Sequence, residues 1–346
     1  MKTKVTTSKT KYAIIIITLV SLLFLTILFT AIGSVRLSFG DVLGAFISRE
    51  PSTIRTIIFT MRLPRTVIAV LVGANLAVSG ILLQAVMRNP LADPGITGVS
   101  SGASVVAVFI ILAVPRLMQR YAFFASIGAT LMQQLPLFAF AGAAIACMMV
   151  FLLAWKNNEV QPLRIVLAGV AVNAILSGFI SMMFVLFTDQ THNAIVWLNG
   201  NLVASTWADV RTLFLYSIVG LIASLFLIRS ANILQLGDEA AKNLGFDVTR
   251  TRLVLSAVAV FLAGVTTAVV GIIGFIGLIV PHAARMIMGS DHKYTIPFSI
   301  VLGGLVLLVA DTLGRAVGGA IEIPVGIVTA IIGGPFFLYL LRKKGA

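Results

Sequence analysis

Long apolar stretches alternate with short polar segments along the whole chain. Each stretch has a length close to the roughly 20 residues that an α-helix needs to cross the hydrocarbon core of a bilayer. There are ten such stretches, at residues 13–33, 66–86, 96–114, 135–154, 163–187, 213–228, 253–270, 272–288, 296–310 and 325–341. The pattern predicts an all-α, polytopic membrane protein with about ten transmembrane helices.

Two places in this pattern are less regular. The segment 271–277 must form a tight turn between two spans. It consists of three glycines and four apolar residues, so no polar loop separates the spans there. The segment 115–134 has room for additional helix between two of the spans.

The distribution of basic residues predicts the orientation. Lys and Arg concentrate in the cytoplasmic segments of membrane proteins, and ten spans place both termini on one side. With the N-terminus inside, all nine lysines are cytoplasmic, whereas the nine basic residues outside are all arginines. We therefore predict a cytoplasmic tail at 1–12 and one transmembrane domain at 13–346, with a cytoplasmic loop at 229–252 and a cytoplasmic C-terminus. The first apolar run is too long for the core of a cleaved signal peptide.

The composition excludes several other classes of protein. Of the 346 residues, 59% are hydrophobic and 11% are charged, and the mean hydropathy is +1.07. These values exclude a soluble globular enzyme and a disordered chain. The net charge of +13 alone suggests a nucleic-acid partner, but the long apolar runs override it. The single cysteine, Cys147, excludes an intrachain disulfide and a multi-thiolate metal site.

The sequence offers little catalytic or ion-coupling chemistry. It contains no P-loop, no HExxH and no GxSxG motif. No Asp, Glu, Lys or Arg lies near the middle of a predicted span, which argues against an ion-coupled secondary transporter. An intramembrane enzyme is a further alternative, and it lacks an evident pair of nucleophile and base.

Residues 236–245, LGDEAAKNLG, predict a short helix within the cytoplasmic loop. Its ends follow the dipole and capping rules, with acidic residues first, a basic residue near the end and glycine after it. These residues are Asp238, Glu239, Lys242 and Gly245. Leu236, Ala240 and Leu244 form an apolar stripe with a spacing of four residues. Two interpretations are open: the helix lies on its own membrane domain, or it docks a cytosolic protein.

The predicted outer face carries arginines at unusual positions. Arg62 and Arg65 lie where a span begins, although the helix dipole there favours anions. Arg315 follows Asp311 by four residues, a spacing at which helical side chains pair. Because the arginine fork suits carboxylates, an acidic extracytoplasmic partner is one interpretation. Snorkelling at the membrane interface is the other.

Several segments, in a fixed order, resemble a known family. They are RLPR (62–65), NPLADPG (89–95), GVSSGA (98–103), LGDEAAKNLG (236–245), GFIGLIVPH (274–282) and EIPVGIVTA (322–330). Together they resemble the FecCD-type, BtuC-like permeases of type II ABC importers, which take up ferric siderophores, haem or cobalamin. The resemblance covers almost the whole chain from Arg36 onward.

This resemblance implies an architecture and a set of partners. It implies ten helices per subunit in a bacterial cytoplasmic membrane and a second permease subunit, either an identical copy or a paralogue. It also implies a cytoplasmic ABC ATPase dimer and an extracytoplasmic substrate-binding protein. The ATPase would bind ATP and Mg, so this chain would itself carry no cofactor and no metal. The implied cargo is an iron(III)–siderophore complex, with haem or cobalamin as alternatives.

The resemblance also implies roles for particular residues. Arg62, Arg65 and Arg315 match arginines that pair with acidic residues of the binding protein. The segment 236–245 matches the coupling helix that lies in a groove of the ATPase. The residues with this implied role are Leu236, Gly237, Asp238, Glu239, Ala240, Ala241, Leu244 and Gly245. The turn at 161–163 departs from the Ser/Thr-rich gate of the cobalamin permease, so no gate residue is assigned.

Overall fold

The fold is a bundle of α-helices. The computed structural model describes residues 7–33, 37–47, 52–188, 191–203, 205–318 and 323–344, and all structural statements concern these residues. The helices are α1 (Ser8–Phe29), α2 (Phe39–Ile47), α3 (Thr53–Thr56), α4 (Leu63–Met87), α5 (Val99–Leu112), α6 (Val114–Arg120), α7 (Ala122–Gln133), α8 (Leu135–Ala154), α9 (Pro162–Leu186), α10 (Thr191–Leu198), α11 (Trp207–Phe226), α12 (Ile228–Gln235), α13 (Asp238–Asn243), α14 (Val248–Val270), α15 (Ile276–Met288), α16 (His292–Gly318) and α17 (Val325–Lys344).

Four short elements complete the described chain. A π-helical segment, Ile57–Arg62, leads into α4, and a 3-10 turn, Pro94–Thr97, leads into α5. Strands β1 (Trp155–Lys156) and β2 (Glu159–Val160) have two residues each and pair as an antiparallel hairpin. Its turn residues, Asn157 and Asn158, have φ angles of 53° and 60°. Asparagine tolerates this left-handed backbone, which a tight hairpin turn requires.

The first helix begins inside the predicted tail. The Thr7 hydroxyl accepts a hydrogen bond from the Thr10 backbone N–H at 3.4 Å, and α1 starts at Ser8. Residues 8–12 are therefore helical, whereas residues 1–6 of the predicted tail lie outside the described residues. The same is true of Arg36 and Arg49, two of the predicted outer arginines, and of Glu322.

Within the described residues, seven helical runs are long and apolar enough to cross a membrane. They are Ser8–Phe29, Thr53–Met87, Leu135–Ala154, Pro162–Leu186, Trp207–Phe226, Val248–Val270 and His292–Gly318. An eighth candidate joins α5 and α6, which meet at an angle of 40°. The prediction of ten spans is therefore not confirmed. The main reason is length, since the 13 residues of α15 reach only about 20 Å of a core about 30 Å thick.

The centre of the bundle is α4. Within Thr53–Met87, 83% of the residues of an 18-residue apolar stretch are buried inside the bundle. The corresponding share in α1 is 6%. Two glycines allow α4 to approach α16 closely. A Cβ on Gly73 would collide with the carbonyl oxygen of Gly303, and a Cβ on Gly303 would collide with that of Gly73. Such backbone contact is the usual basis of helix association in lipid.

A small polar cluster lies within this buried centre. The Asn75 side-chain amide of α4 donates to the Ser217 hydroxyl of α11 at 2.8 Å and to the Thr266 hydroxyl of α14 at 3.2 Å. Four residues along α4, the Ser79 hydroxyl donates to the carbonyl oxygen of Ala259 at 2.6 Å. Because unpaired polar groups are costly in lipid, these bonds fix the register of α11 and α14 against α4.

The two irregular places of the sequence have different outcomes. The segment 115–134 contains α6 and α7, which confirms the prediction of additional helix there. At 271–275 the chain forms no regular element, and Gly271 and Phe275 have positive φ angles of 80° and 69°. The Ile276 backbone N–H donates to the carbonyl oxygen of Gly274 at 2.9 Å, so the chain turns directly before α15. The adjacent Val270 carbonyl accepts a hydrogen bond from the Asn201 backbone N–H at 2.8 Å. The protein itself thus pairs backbone groups beside this irregular segment, as the membrane core demands.

Candidate functional site

The two ends of α4 define the two ends of the bundle. This helix has 25 residues and is about 37 Å long at a rise of 1.5 Å per residue. Arg65 lies in its first turn, and Arg88 directly follows its last residue. We call the region around Arg65 the arginine end, and the region around Arg88, which includes the β1–β2 hairpin, the hairpin end.

An ion cluster joins α4 to α16 at the arginine end. The Arg65 fork binds Asp311 through Nε, at 3.0 and 3.1 Å from the two carboxylate oxygens, and through Nη2, at 2.8 Å from Oδ1. Arg315 Nε lies 3.1 Å from Asp311 Oδ2, which confirms the pair predicted from the four-residue spacing. All three residues are at most 5% exposed. One buried carboxylate therefore holds two guanidinium groups.

The same cluster holds the end of α1. Arg62 Nη1 donates to the carbonyl oxygens of Thr30 and Ala31 at 2.8 and 2.9 Å. Arg315 Nη1 donates to the carbonyl oxygen of Ile32 at 2.8 Å. A helix C-terminus leaves carbonyl groups unpaired and carries partial negative charge, so both arginines compensate it.

The structure thus brings Arg62, Arg65 and Arg315 together, although they are far apart in sequence. All three are buried, with exposures of 7%, 5% and 3%, and all bind groups of their own chain. The unfavourable position of Arg62 and Arg65 near the start of α4 is offset by Asp311 and by the α1 carbonyl groups. Docking of a partner by these arginines remains a prediction.

At the hairpin end, ion pairs hold α13 in place. Asp238 Oδ1 accepts from Arg252 Nη2 of α14 at 2.7 Å and lies 3.5 Å from Arg88 Nη1. Lys242 Nζ donates to Glu159 Oε1 of β2 at 2.8 Å, and this hydrogen bond raises the pKa of Lys242 above its ordinary value. The predicted helix is confirmed, and its two ends are tied to α4, α14 and the hairpin.

The two leucines of the predicted stripe lie directly outside α13, Leu236 before it and Leu244 after it. Leu236 and Leu244 are 64% and 58% exposed, whereas Ala241 on the opposite face is fully buried. Gly237 and Gly245 have φ angles of 109° and 79°, which glycine adopts without strain. The helix therefore packs on its own chain through Ala241. Leu236 and Leu244 stay exposed on either side of it. Docking of a cytosolic protein by this segment remains a prediction.

The most important contacts could not be read from local sequence. Arg65 and Asp311 are 246 residues apart, and Glu159 and Lys242 are 83 apart. A local signal does exist for the hairpin, because two asparagines separate Lys156 from Glu159 and such pairs favour tight turns. Asp311 also gives a signal, as an acid next to a long apolar run.

Comparison with known proteins identifies the family. The FecCD transport family matches residues 19–343 of the chain. The chain belongs to this family. As a member it is a permease subunit of a type II ABC importer and not an enzyme, which confirms the resemblance stated from the motifs.

Several curated permeases are similar over most of the chain. The Fe(3+)-citrate import system permease protein YfmE of Bacillus subtilis is 39% identical over 341 residues, which cover 98% of each chain. The cobalamin import system permease protein BtuC of Halobacterium salinarum is 42% identical over 85% of this chain and 75% of its own. A probable heme-iron transport system permease protein, IsdF of Staphylococcus aureus, is 38% identical over 90% of each.

A solved structure has the same fold. A metal-chelate type ABC transporter in an inward-facing conformation matches 96% of this chain and 99% of its own, with a TM-score of 0.79 and 27% identity. The all-helical membrane fold predicted for the family is therefore confirmed.

The ion cluster generates a test of what holds the arginine end. Asp311→Asn keeps the shape of the side chain but leaves two buried guanidinium groups without their negative partner. Breaking a buried pair in this way costs about 3–5 kcal/mol, so we expect a clearly lower thermal midpoint for the purified chain in detergent. The matched control is Asp41→Asn, since the exposed Asp41 carboxylate in the first turn of α2 accepts locally from the Ser38 backbone N–H, and an asparagine carbonyl oxygen can accept the same bond. Equal midpoints for the two variants would show that the cluster does not stabilise the fold.

Proposed function

We propose that this permease moves an iron(III)–siderophore complex into the cytoplasm by alternating access. A separate ATPase dimer supplies the energy, and an extracytoplasmic binding protein delivers the cargo. The observation that carries the proposal is the geometry of α13, a short helix flanked by the exposed Leu236 and Leu244 and tied to the bundle by ion pairs. The subunit would work with a second permease, an identical copy or a paralogue, around a shared path.

The anchors of α13 connect its exposed face to the transmembrane helices. Asp238 is bound by Arg252, which lies in α14, and lies close to Arg88, which ends α4. Arg252 Nη1 also donates to the carbonyl oxygen of Val160 in β2 at 3.2 Å. A force applied to the leucine stripe by a cytosolic partner would therefore reach α4 and α14 through ion pairs rather than through a mobile loop.

A double substitution on the exposed stripe tests this coupling role. Leu236→Ser with Leu244→Ser removes apolar contact area but touches no anchor. We expect unchanged thermal stability, since exposed substitutions usually stay within about 0.5 kcal/mol. We also expect loss of ATPase co-purification and of uptake. The matched control is Leu43→Ser on α2, an exposed leucine at the arginine end. Normal co-purification by the double variant would rule out the stripe as the main ATPase contact.

Ten membrane crossings are part of this proposal. The seven long helical runs and the α5–α6 pair supply eight, and α15 and α17 would supply the other two. The irregular residues 271–275 directly precede α15 and would lengthen this crossing. Protein contacts on this segment support the assignment, because a Cβ on Gly271 would collide with the carbonyl oxygen of Trp197.

The position of the lysines supports a cytoplasmic hairpin end. Lys11 Nζ lies 4.6 Å from the centre of the Tyr294 ring near the start of α16, and Lys242 binds Glu159 in the hairpin. Lys156 lies in the same hairpin, and Lys293 lies beside Tyr294. Lysines concentrate on the cytoplasmic side of membrane proteins. This orientation puts both termini inside and directs the arginine end toward the binding protein.

Docking of the binding protein by the arginine end is a second part of the proposal. Arg62, Arg65, Arg315 and Asp311 together carry a net charge of +2. Although the guanidinium groups are buried, their field favours approach of an acidic surface. The cluster would thus serve two purposes, holding three helix ends together and attracting the partner.

Opposite charge changes separate docking from folding. Arg62→Gln lowers the cluster charge to +1, and Asp311→Asn raises it to +3. If charge drives docking, binding-protein affinity should fall several-fold in the first variant and stay equal or rise in the second, with both effects weaker at high salt. Surface plasmon resonance on folded fractions in nanodiscs would measure this. A loss of affinity in both variants would indicate that the arginines act only through the fold.

The relatives support iron chelates as the first cargo to test. Two Bacillus subtilis permeases of Fe(3+)-citrate import match 97–98% of this chain at 39% identity. The alternatives in the same family are haem and cobalamin, whose permeases match at 38% and 42%.

An uptake panel tests the cargo and the energy source together. Cells lacking the gene and complemented cells would receive radio-iron citrate, radio-iron siderophores, haem and labelled cobalamin. We expect selective loss of one iron chelate, and inhibition of the restored uptake by vanadate. Loss of cobalamin or haem uptake alone would overturn the cargo assignment. Sensitivity to an uncoupler but not to vanadate would instead support an ion-coupled transporter.

A further inference from the structure

A polar cavity lies at the hairpin end, between the end of α4, the end of α12 and the end of α15. Its volume is about 360 Å³, within the size range of small-molecule sites. Its lining includes six polar side chains, which are Gln84, Arg88, Asn89, Gln235, Arg285 and Ser290. Two of them are arginines and none is acidic. The cavity therefore has the electrostatic character of an anion site.

Two buried polar atoms in this lining have no hydrogen-bond partner among the described residues. They are Nη2 of Arg285 and Oε1 of Gln84. Buried polar groups are nearly always paired, and an unpaired guanidinium N–H is especially costly. Arg285 and Gln84 both line the same cavity. A ligand there that accepts from Arg285 and donates to Gln84 would satisfy both.

The orientation of the Gln84 amide is fixed by its neighbours. Its Nε2 donates to the carbonyl oxygens of Ala92 and Gly277, each at 3.2 Å. Both partners are hydrogen-bond acceptors, so the amide nitrogen must face them. Oε1 then faces the other way and has no hydrogen-bond partner among the described residues. Gln84 is only 5% exposed. The ligand group that meets Oε1 must be a donor, such as a hydroxyl.

The other lining residues present donors. Asn89 Oδ1 accepts from the Leu91 backbone N–H at 2.9 Å, which leaves its NH₂ group as the outward donor. Gln235 Nε2 lies 3.4 Å from Nε2 of His292. The amide group of Gln235 has a second N–H, which is a further donor. Arg88 adds a guanidinium group, and the Ser290 hydroxyl adds a further donor. Donors from several segments suit a tetrahedral group with several oxygens better than a carboxylate with two.

We propose that this cavity binds a phosphate group that carries a hydroxyl donor. Dihydrogen phosphate has this chemistry, and so does the phosphoglycerol headgroup of an anionic lipid. The end of a membrane-spanning helix is the depth at which lipid phosphates lie, and basic pockets between helices on the cytoplasmic side bind such headgroups. The phosphate would contact Arg285 and Arg88, and its hydroxyl would donate to Gln84 Oε1.

The site adjoins the anchor of α13 through one residue. Arg88 lines the cavity and also lies 3.5 Å from Asp238. Asp238 keeps its shorter bond to Arg252, at 2.7 Å, so α13 stays anchored while Arg88 turns toward a ligand. A phosphate in the cavity would therefore change one of the two contacts that Asp238 makes.

The test uses the purified, delipidated full-length chain in a neutral detergent. The thermal midpoint would be measured against inorganic phosphate, sulfate, dihexanoyl phosphatidylglycerol and dihexanoyl phosphatidylcholine. We expect the midpoint to rise with phosphate or with the phosphatidylglycerol, and less with sulfate, which has no hydroxyl at neutral pH. A stronger response to phosphatidylglycerol would identify a lipid headgroup, and a stronger response to phosphate would identify a soluble anion. No rise with either probe would overturn the proposal.

Arg285→Gln should weaken binding roughly tenfold or more, as expected when a charged hydrogen-bond donor is lost. The matched control is Arg250→Gln, an exposed arginine of α14 outside the cavity. Equal binding by the two variants would overturn the proposal. If Arg285→Gln removes ATPase co-purification while the wild-type chain binds neither probe, the cavity receives a protein side chain and the phosphate assignment is wrong.

A second pair of variants keeps the test independent of folding at Arg285. Asn89→Asp retains the acceptor for the Leu91 N–H but replaces the outward NH₂ donor with a charged oxygen. It should abolish phosphate binding. The matched control is Asn201→Asp. Asn201 Oδ1 likewise accepts from the backbone N–H two residues later, that of Val203, at 2.8 Å. This control should bind normally, and unchanged binding by Asn89→Asp would overturn the proposal.

Discussion

The arrangement of the bundle depends on the contact between α4 and α16. Lipid is as apolar as the helix surfaces, so helices associate in it by close packing and polar bonds rather than by the hydrophobic effect. This contact uses both. Gly73 and Gly303 let the two backbones touch, and Arg65 and Asp311 close the arginine end with a buried two-pronged ion pair. α14, α15 and α11 also pack on α4, so this contact lies at the centre of the bundle.

The sequence alone predicts the helices of this fold better than their contacts. Apolar length predicts a span wherever one helix runs unbroken, as in α14 and α16, because crossing a bilayer is a local requirement. It fails at 272–288, where the described helix α15 has only 13 residues and the chain before it is irregular. It cannot predict that Arg62 reaches the carbonyl group of Thr30, because that contact exists only after α1 and α4 have packed.

The candidate surfaces divide in the same way. The short helix around Asp238 and Lys242 follows local dipole and capping rules, so its existence and polarity could be predicted. Which of its faces is exposed depends on the burial of Ala241 against the bundle, which no local rule contains. Relatives that import different cargoes are about equally similar to this chain, at 38–42% identity. Overall identity therefore reflects the shared fold of these permeases and does not distinguish their cargoes.

A stiff central helix explains how two distant surfaces can act together. The arginine cluster and the Arg88–Asp238 contact lie at opposite ends of α4, separated by about 37 Å of helix. A single helix tilts as a unit because its backbone bonds are all internal, so a displacement at one end changes the geometry at the other. The polar cluster of Asn75, Ser217 and Thr266 lies between the two ends and ties α11 and α14 to the same motion. Under the proposed alternating access, two packings of this bundle would differ in which end is open, and a partner that binds one packing more tightly would shift the balance toward it.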